Sequence, residues 1–504
     1  MSFKSLTKED VGKTVRVVAK IENIYQTSGP TIFWLNDGAS RFTAKAFLRP
    51  GTRAFPEVEK NDTVTAVLRI QEYENNLEGS ISSMEKTNIE LFDQQMEQQR
   101  LKRLSVEQTA FLAESETLNA MRGAFENAAR LIKQAIVDNR TIIIRHNADC
   151  DGYSGALALE RSIVPLIKEQ HGDSFNEWRF FRRLPSKAPY YTISDSFVDV
   201  VGITNEMLRK DQSPPLFIIV DTGSSEEDVL GMCNLRMFGS PIIVVNHHGF
   251  IQDHVTAHVD VHINPYLFGG DSSLTASMLS VELSRMVNKM EHVYLAALGG
   301  AGDKVNPENK EMAHYLQLAQ AQGYGLDDLK KFALTIDFAA YYLRMMEGRA
   351  LVNELFNNKE LRSLWHTEAE KRINEVLHVV EHYIKLDDIG NKIIAQIDLH
   401  KIYRGEFPSY GKITGKTSDM LHEKHQKPLY VLGVADDMII FRISRTETQF
   451  SLRELIDALK KEFPHAAISG GGHERAGTLR CVAAARDEVL AFVRGWIEKV
   501  PASS

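Results

Sequence analysis

Three uninterrupted apolar runs, Thr141-Ile-Ile-Ile144, Leu216-Phe-Ile-Ile-Val220 and Pro241-Ile-Ile-Val-Val245, constrain this chain more than any other feature. A strand apolar on both faces has to be covered on both, which is the condition of a parallel strand inside an α/β sheet. From 141 to about 305 such strands alternate with helical patterns, the signature of successive βαβ units. Each run leads directly into a segment rich in carboxylates, amides and imidazoles: Arg145-His-Asn-Ala-Asp-Cys-Asp-Gly152, Val220-Asp-Thr-Gly-Ser224 and Val245-Asn-His-His-Gly249. Side chains at the C-terminal ends of strands in an open sheet converge on one crevice. Ala301-Gly-Asp-Lys304 and Ser469-Gly-Gly-Gly-His473 extend the series downstream.

A chain of 504 residues exceeds one ordinary core, so two to four domains are expected. With 43% hydrophobic and 25% charged residues it has the composition of a folded, soluble protein. No apolar stretch is long enough to span a bilayer, and the first ten residues lack a signal-peptide pattern, so no membrane partner is expected. The three cysteines, Cys150, Cys233 and Cys481, are widely spaced, which argues against a disulfide framework and fits a cytoplasmic location. A net charge of −8 neither advertises nor excludes nucleic acid, because a local basic groove or bound metal can reverse the sign where it matters.

Five segments follow from composition and periodicity. Residues 1–90 alternate apolar and polar at the strand period, with turn signals at Ser28-Gly-Pro30, Asn36-Asp-Gly38 and Lys60-Asn-Asp62, which predicts a small antiparallel barrel. Its Phe33, Trp34, Phe42, Phe47 and Tyr73, interleaved with Arg and Lys, are either core or base-stacking faces of an oligonucleotide-binding barrel. Residues 91–139 read as a helical connector, 140–307 as the catalytic α/β domain, 308–388 as a helical insertion or spacer, and 389–504 as a second α/β domain with a Gly-rich loop near its end.

The chemistry lies in the motifs. His146, Asp149, Asp151, Asp221, His247 and Asp303 supply the oxygen and imidazole donors that two divalent ions about 4 Å apart require for activating water at a phosphoryl group. With no cysteine partner in the set, Mn²⁺ or Mg²⁺ suits it. Asp221 follows its strand immediately, as a bridging carboxylate should.

The series resembles the DHH phosphoesterase superfamily, and within it the layout is most similar to the archaeal RecJ-like proteins with an OB-like barrel in front. The resemblance covers about 141–305 and, through a C-terminal domain of the DHHA1 type, about 390–499. It implies that Asp149, Asp151, Asp221, His247 and Asp303 are ligands of two metal ions, Mn²⁺ or Mg²⁺, with His146 a sixth. It implies that His248 acts at the scissile phosphate as hydrogen-bond donor or general acid, with Asp221 catalytic through the metals. It also implies that Arg442, Ser444, Arg445, Gly471, Gly472 and His473 hold the substrate backbone. Arg182 and Arg183, with Trp34 of the barrel, are candidates for contacting the strand.

Two departures from the family pattern stand out. The signature Asp-His-His is Asn246-His247-His248 here. In relatives that Asp supports its neighbours, and losing its charge is expected to cost roughly 10- to 100-fold in metal affinity or activity. In the first motif, relatives place a His or acid two before the first Asp, or a His four before it. Here His146 stands three before Asp149, with Asn147 at two, and His146 is expected still to reach a metal. His262, His400, His422 and His465 read as ordinary surface or core histidines.

The expected activity is a metal-dependent single-strand exonuclease acting on DNA or RNA in replication or repair, with other replication or repair proteins as partners. The alternatives are a replisome or repair scaffold that has lost activity, favoured by Asn246, and a phosphodiesterase for short oligonucleotides or cyclic dinucleotides.

Overall fold

The structure is a computed structural model that describes residues 2–501 apart from 39, 74–75, 172–176, 187, 189, 211–212, 251, 344–347 and 445–448, and apart from the side chains of 177–178 and 206–210. Arg445, expected to hold substrate, lies outside the described residues.

The N-terminal segment is a closed barrel of β1 (Thr14–Gln26), β2 (Thr31–Asn36), β3 (Arg41–Ala46), β4 (Thr63–Tyr73) and β5 (Asn76–Lys86), in the order β1-β2-β3-β5-β4. Alternation sends Val15, Val17, Ala19 and Ile21 of β1 inward onto Phe33, Leu35, Val64, Ala66 and Leu68. Closure leaves the sheet without a free edge.

The three apolar runs form the centre of a five-stranded parallel sheet. Its order is β10 (Val261–Ile263), β9 (Ile242–Val245), β8 (Leu216–Val220), β6 (Ile142–His146) and β7 (Phe181–Pro185). Every residue of β6, β8 and β9 is buried, which is why these runs carry no polar alternation. The helices Cys150–His171, Ala276–Val287 and Tyr294–Gly302 share one apolar core with this sheet.

That core corrects two of the expected boundaries. Within 91–139, the helix Glu90–Leu104 buries nothing. The helix Arg122–Val137, however, sends Phe125, Ala128, Ala129, Ile132, Ala135 and Ile136 into the catalytic core. It is a layer of that domain, not a connector. Likewise the helices Lys310–Ala321 and Leu326–Leu343 place Met312, Tyr315, Leu329, Phe332 and Ile336 there, so half of the expected spacer is catalytic-domain structure.

The C-terminal body is a six-stranded mixed sheet, β11 (Lys385–Ile389), β12 (Lys392–Asp398), β13 (Leu429–Val434), β14 (Met438–Ile443), β16 (Ala476–Arg480) and β15 (Ser469–His473), in that spatial order. Its first strand begins at Lys385, so a boundary at 389 would cut it. The Gly-rich segment is the edge strand β15 rather than a loop.

The barrel docks at an unexpected place. Its contacts with the catalytic body fall on Asn139, Glu169, His171, Arg179 and Phe180. These lie at the N-terminal ends of β6 and β7 and at the far end of the helix Cys150–His171. The ligand-type residues sit at the opposite ends of the strands. The helix, of 22 residues, separates the two by about 33 Å.

Candidate active site

Strand β6 ends in His146, and the chain turns through Asn147 and Ala148 into the helix that starts at Cys150. Asp149 stands in the turn, where Oδ1 accepts from Gly152 N–H (3.0 Å) and Oδ2 from the Asn147 amide (2.6 Å). Asp151, in the first helical turn, is fully buried and accepts from the Ala276 and Ser277 N–H groups (2.8 and 3.1 Å), the first N–H groups of the helix Ala276–Val287. A negative charge there meets the positive end of the helix dipole. Gly299 packs so close to Asp151 that a Cβ would strike its Oδ1 and the Ser277 hydroxyl. The segment Ala-Leu-Gly-Gly-Ala-Gly that precedes Asp303 is therefore part of the site's wall.

Asp221 follows β8 with φ +58, a backbone region non-glycine residues rarely occupy. Both its carboxylate oxygens are buried and make no hydrogen bond. Strain and unsatisfied buried oxygens together make it the strongest candidate for a functional carboxylate. His247 follows β9. Its Nδ1 donates to the Ser272 carbonyl (2.9 Å), which leaves Nε2 as the free nitrogen. That Nε2, also without a hydrogen bond, lies 3.2 Å from Asp303, 3.3 Å from Asp221 and 3.7 Å from Asp151. Asp151, His247 and Asp303 form one cluster spaced for a cation, and His247, His248 and His473 a second.

The electrostatics follow from this crowding. Burial, then the charges of Asp221 and Asp303, push Asp149 well above the carboxylate range and Asp151 up to about 7. Burial opposes the charged form of His247, but the carboxylates of Asp221 and Asp303 beside its Nε2, with the charge of Asp151, outweigh it and raise its pKa well above the usual value. For Asp303 burial is likewise outweighed, by His247. Four converging carboxylates, of which Asp221 has both oxygens without a hydrogen bond, are a donor set that fits divalent cations.

His248 stacks on His473 at 4.8 Å, and its Nδ1 lies 2.8 Å from Asn246 Oδ1. An amide oxygen only accepts, so Nδ1 carries the proton and the neutral ring presents a lone pair on Nε2. Burial, reinforced by His247, His473 and Arg453, holds the pKa well below the usual value. In this arrangement His248 therefore offers an acceptor, where a hydrogen-bond donor or general acid was expected. Asn246, 1% exposed, also receives the backbone N–H groups of His247 and His248 (2.8 and 3.3 Å). His146 keeps a buried Nε2 with no hydrogen bond, while burial and Arg183 pull its pKa down to about 3. It joins neither cation-spaced cluster.

The C-terminal body closes the crevice. His473 of β15 lies 3.9 Å from Asp303, Gly472 adopts φ +123, and a Cβ on Gly471 would meet open space. The Arg442 guanidinium lies against Gly411 and Gly415, 3.7 and 3.5 Å from where their Cβ atoms would be. Ion pairs bridge the two bodies: Lys304 with Asp419 (2.8 Å), and Lys412 with Asp337, whose other oxygen caps Cys150 N–H (3.1 Å). Asp337, Lys412 and the Ser272 carbonyl were not legible in any motif. The Gly269-Gly-Asp-Ser-Ser273 turn hints only at the last.

Three expected contact residues are corrected. Ser444 is buried, its hydroxyl accepting from Leu429 N–H and bonded to His422, so it ties β13 to β14. Arg183 is buried in an ion pair with Glu160 (2.6 Å) and bonded to Asn353. Trp34, 9% exposed, lies between the guanidinium groups of Arg41 and Arg179 (4.3 and 4.2 Å) at the barrel junction, which leaves it no face for a base. Arg182 is half-buried on β7, near Gly202. Phe47 and Tyr73 are the exposed barrel aromatics, with Lys45 over the Tyr73 ring at 4.3 Å.

No family model matches the chain. It is 32% identical to an uncharacterized protein of Methanocaldococcus jannaschii, an alignment covering 95% of this chain and 68% of that one. Among solved structures it is similar to the DHH domain of a member of a family of ribosomal proteins, with 31% identity and a TM-score of 0.77 over 82% of this chain and 99% of that one. RecJ of Thermus thermophilus in complex with Mn²⁺ has 18% identity and a TM-score of 0.48 over 75% of this chain and 55% of that one. With the parallel sheet, the motifs at its C-terminal ends and the matched DHH domain all in hand, the chain belongs to the DHH-domain family, the phosphoesterase family that its motifs resemble.

Proposed function

We propose that this protein is a metal-dependent phosphodiester hydrolase acting on single-stranded nucleic acid. The observation that carries this is Asp221: a strained residue with two buried, unbonded carboxylate oxygens, placed among Asp149, Asp151, His247 and Asp303. These residues, with His248 and His146 as further nitrogen donors, would hold two divalent cations, Mn²⁺ or Mg²⁺. Bound there, the cations would polarise a phosphoryl oxygen and lower the pKa of a coordinated water.

The chain's own groups do the rest. Asp151 is fixed by two backbone donors, and His247 by Ser272, so neither has to reorganise. His248 Nε2 accepts a proton or a cation at the mouth of the crevice. Arg442, the exposed Gly471 and the half-buried Gly472 would face a phosphate at the seam between the bodies, where a glycine lets backbone N–H groups approach. His473 supplies a ring against which a terminal base or sugar can rest.

The barrel's position favours a second reading. A barrel beside the crevice would argue for long strands, but about 33 Å separates the two. A phosphodiesterase of short oligonucleotides, for which the barrel is not part of the site, is therefore the competing assignment. The test is hydrolysis of end-labelled DNA and RNA from 2 to 30 nucleotides with Mn²⁺, beside a chelator control and Asp221→Asn. Products that vanish in the variant support the hydrolase. A rate that climbs beyond about 10 nucleotides supports the single-strand exonuclease, and one that is highest on the shortest substrates supports the oligonucleotide enzyme. No product at any length, with strand binding intact, overturns both in favour of a scaffold.

A further inference from the structure

Behind His248 lies a polar network that no motif suggested. Asn246, Ser224, Asn264 and His262 are 1%, 4%, 0% and 6% exposed, so every proton among them needs a partner. The orientations of both amides are forced. Asn246 Oδ1 faces the His247 N–H, so its Nδ2 faces Ser224 Oγ at 2.9 Å. Asn264 Oδ1 accepts from Tyr266 N–H, so its Nδ2 donates to the His248 carbonyl (2.9 Å) and to Ser224 Oγ (3.0 Å).

Ser224 thus receives two amide donors, which use both lone pairs of its oxygen. Its own O–H has one remaining direction, His262 Nε2 at 3.0 Å. His262 is then neutral with its proton on Nδ1, donated to Thr256 Oγ1 at 2.8 Å. Burial, which pulls the His262 pKa down to about 4, acts in the same sense. The order is Asn246 to Ser224 to His262 to Thr256, each donating to the next.

We propose that Ser224 and His262 are positioning residues for the His247–His248 pair, forming with Thr256 a proton-ordered chain that holds the Asn246 amide and so presents His248 Nε2 to the crevice. The chain explains why asparagine serves where the family signature has aspartate. A carboxylate at 246 would keep the bonds to His247 and His248 on one oxygen, but its other oxygen could only accept. Ser224 would then have to donate toward 246, His262 would have to carry its proton on Nε2, and Thr256 would have to donate to Nδ1. The direction of the whole chain is set by the residue at 246. The inference rests on the reading of His247 and His248 as the pair that faces metal and phosphate.

The test is nitrogen-resolved NMR of selectively labelled histidine in the metal-free full-length protein. The expected result is His262 protonated on Nδ1 and His248 on Nδ1 in the wild type, with His262 switching to Nε2 in Asn246→Asp. A wild-type His262 protonated on Nε2, or no switch in the variant, overturns the proposal. Should Asn246→Asp not fold, calorimetric Mn²⁺ binding to His262→Gln and His262→Phe decides, with thermal melts to verify folding. Gln can accept from Ser224 and donate to Thr256, so affinity within about threefold of wild type is expected. Phe can do neither, and a loss of roughly 10- to 100-fold is expected. A folded His262→Phe protein that binds Mn²⁺ as the wild type does overturns it. The NMR measurement uses neither metal nor nucleic acid, so its failure is separable from failure of the hydrolase assignment.

Discussion

Replacing Asp221 by asparagine should make the metal-free protein more stable and the metal-loaded protein less so. In the metal-free state Asp149, Asp151, Asp221 and Asp303 crowd together around His247, more carboxylates than one imidazole can offset. Asp151 registers the burial and crowding: its pKa stands at about 7 instead of 3.8, which corresponds to ~4 kcal/mol for holding that charge. Burial accounts for the largest share, and the neighbouring charges of Asp221 and then Asp303 follow. A neighbouring like charge of this kind is worth on the order of 1–2 kcal/mol, which Asp221→Asn removes. Asp221 makes no hydrogen bond that the amide would forfeit, and asparagine tolerates a φ of +58 better than most residues. The opposing term is the contact of Asp221 with His247 at 3.3 Å, which takes part of the gain back.

The assay is thermal unfolding at pH 8, first with chelator and then with saturating Mn²⁺. With chelator the variant should melt a few degrees above wild type. With Mn²⁺ at about 100 times its dissociation constant, wild type should gain roughly 2.7 kcal/mol and the variant much less, so the order reverses. An Asp221→Asn protein that melts below wild type in chelator would refute the reasoning, because Asp221 would then be a structural acid.

Three further outcomes are expected. Glu160 is held down at about 2, against its burial, by Arg183 and Arg349, so its stabilisation is present above the ordinary value of 4.5 and lost as pH falls toward 2. Glu160→Gln should cost about 3–5 kcal/mol at pH 7, with the gap to wild type narrowing through that window in chemical denaturation. Phe47→Ala with Tyr73→Ala should weaken binding of strands longer than about 10 nucleotides, the number that spans ~33 Å at 3.4 Å each, and leave shorter ones unchanged by fluorescence anisotropy. Asp337→Asn keeps an acceptor for Cys150 N–H but drops the charge that holds Lys412, so KM should rise several-fold with kcat nearly unchanged in steady-state kinetics.

Most of the crevice was legible because its residues are tied to a pattern that admits one interpretation. An apolar run buried on both faces can only be an inner strand, and the residues that end β6, β8 and β9 then have to converge. What single-sequence patterns do not carry is which face of a half-buried strand meets another domain. Trp34 alternates on its strand as a solvent-facing residue would, yet it is covered by Arg41 and Arg179, while Arg183 falls in the buried phase of β7 and is neutralised there by Glu160. Ser444, expected to hold substrate, stands just past the end of β14 and points inward to His422 and Leu429. Asp337 and His262 were invisible for a different reason: each stands alone in its segment, and its partner lies tens of residues away in the chain.

The positions of the two flanking bodies divide the work of the molecule. The C-terminal body meets the crevice through His473 of its sheet and through Lys412 and Asp419 of the helix Tyr410–Lys424, so whatever it binds lies within reach of the carboxylates. The barrel meets the other end of the same parallel sheet, and its junction is made of buried, ordered contacts: Arg41 on Glu22 and His171, Arg179 on Trp34 and Tyr25. Such a junction does not favour swinging the barrel round to the crevice. The barrel can therefore influence hydrolysis only through a ligand long enough to touch both ends, and a short ligand should not register its presence. For the single-stranded substrate proposed above, chain-length dependence follows from this placement, and it separates the role of the barrel from the chemistry of the crevice without altering a single metal-type residue.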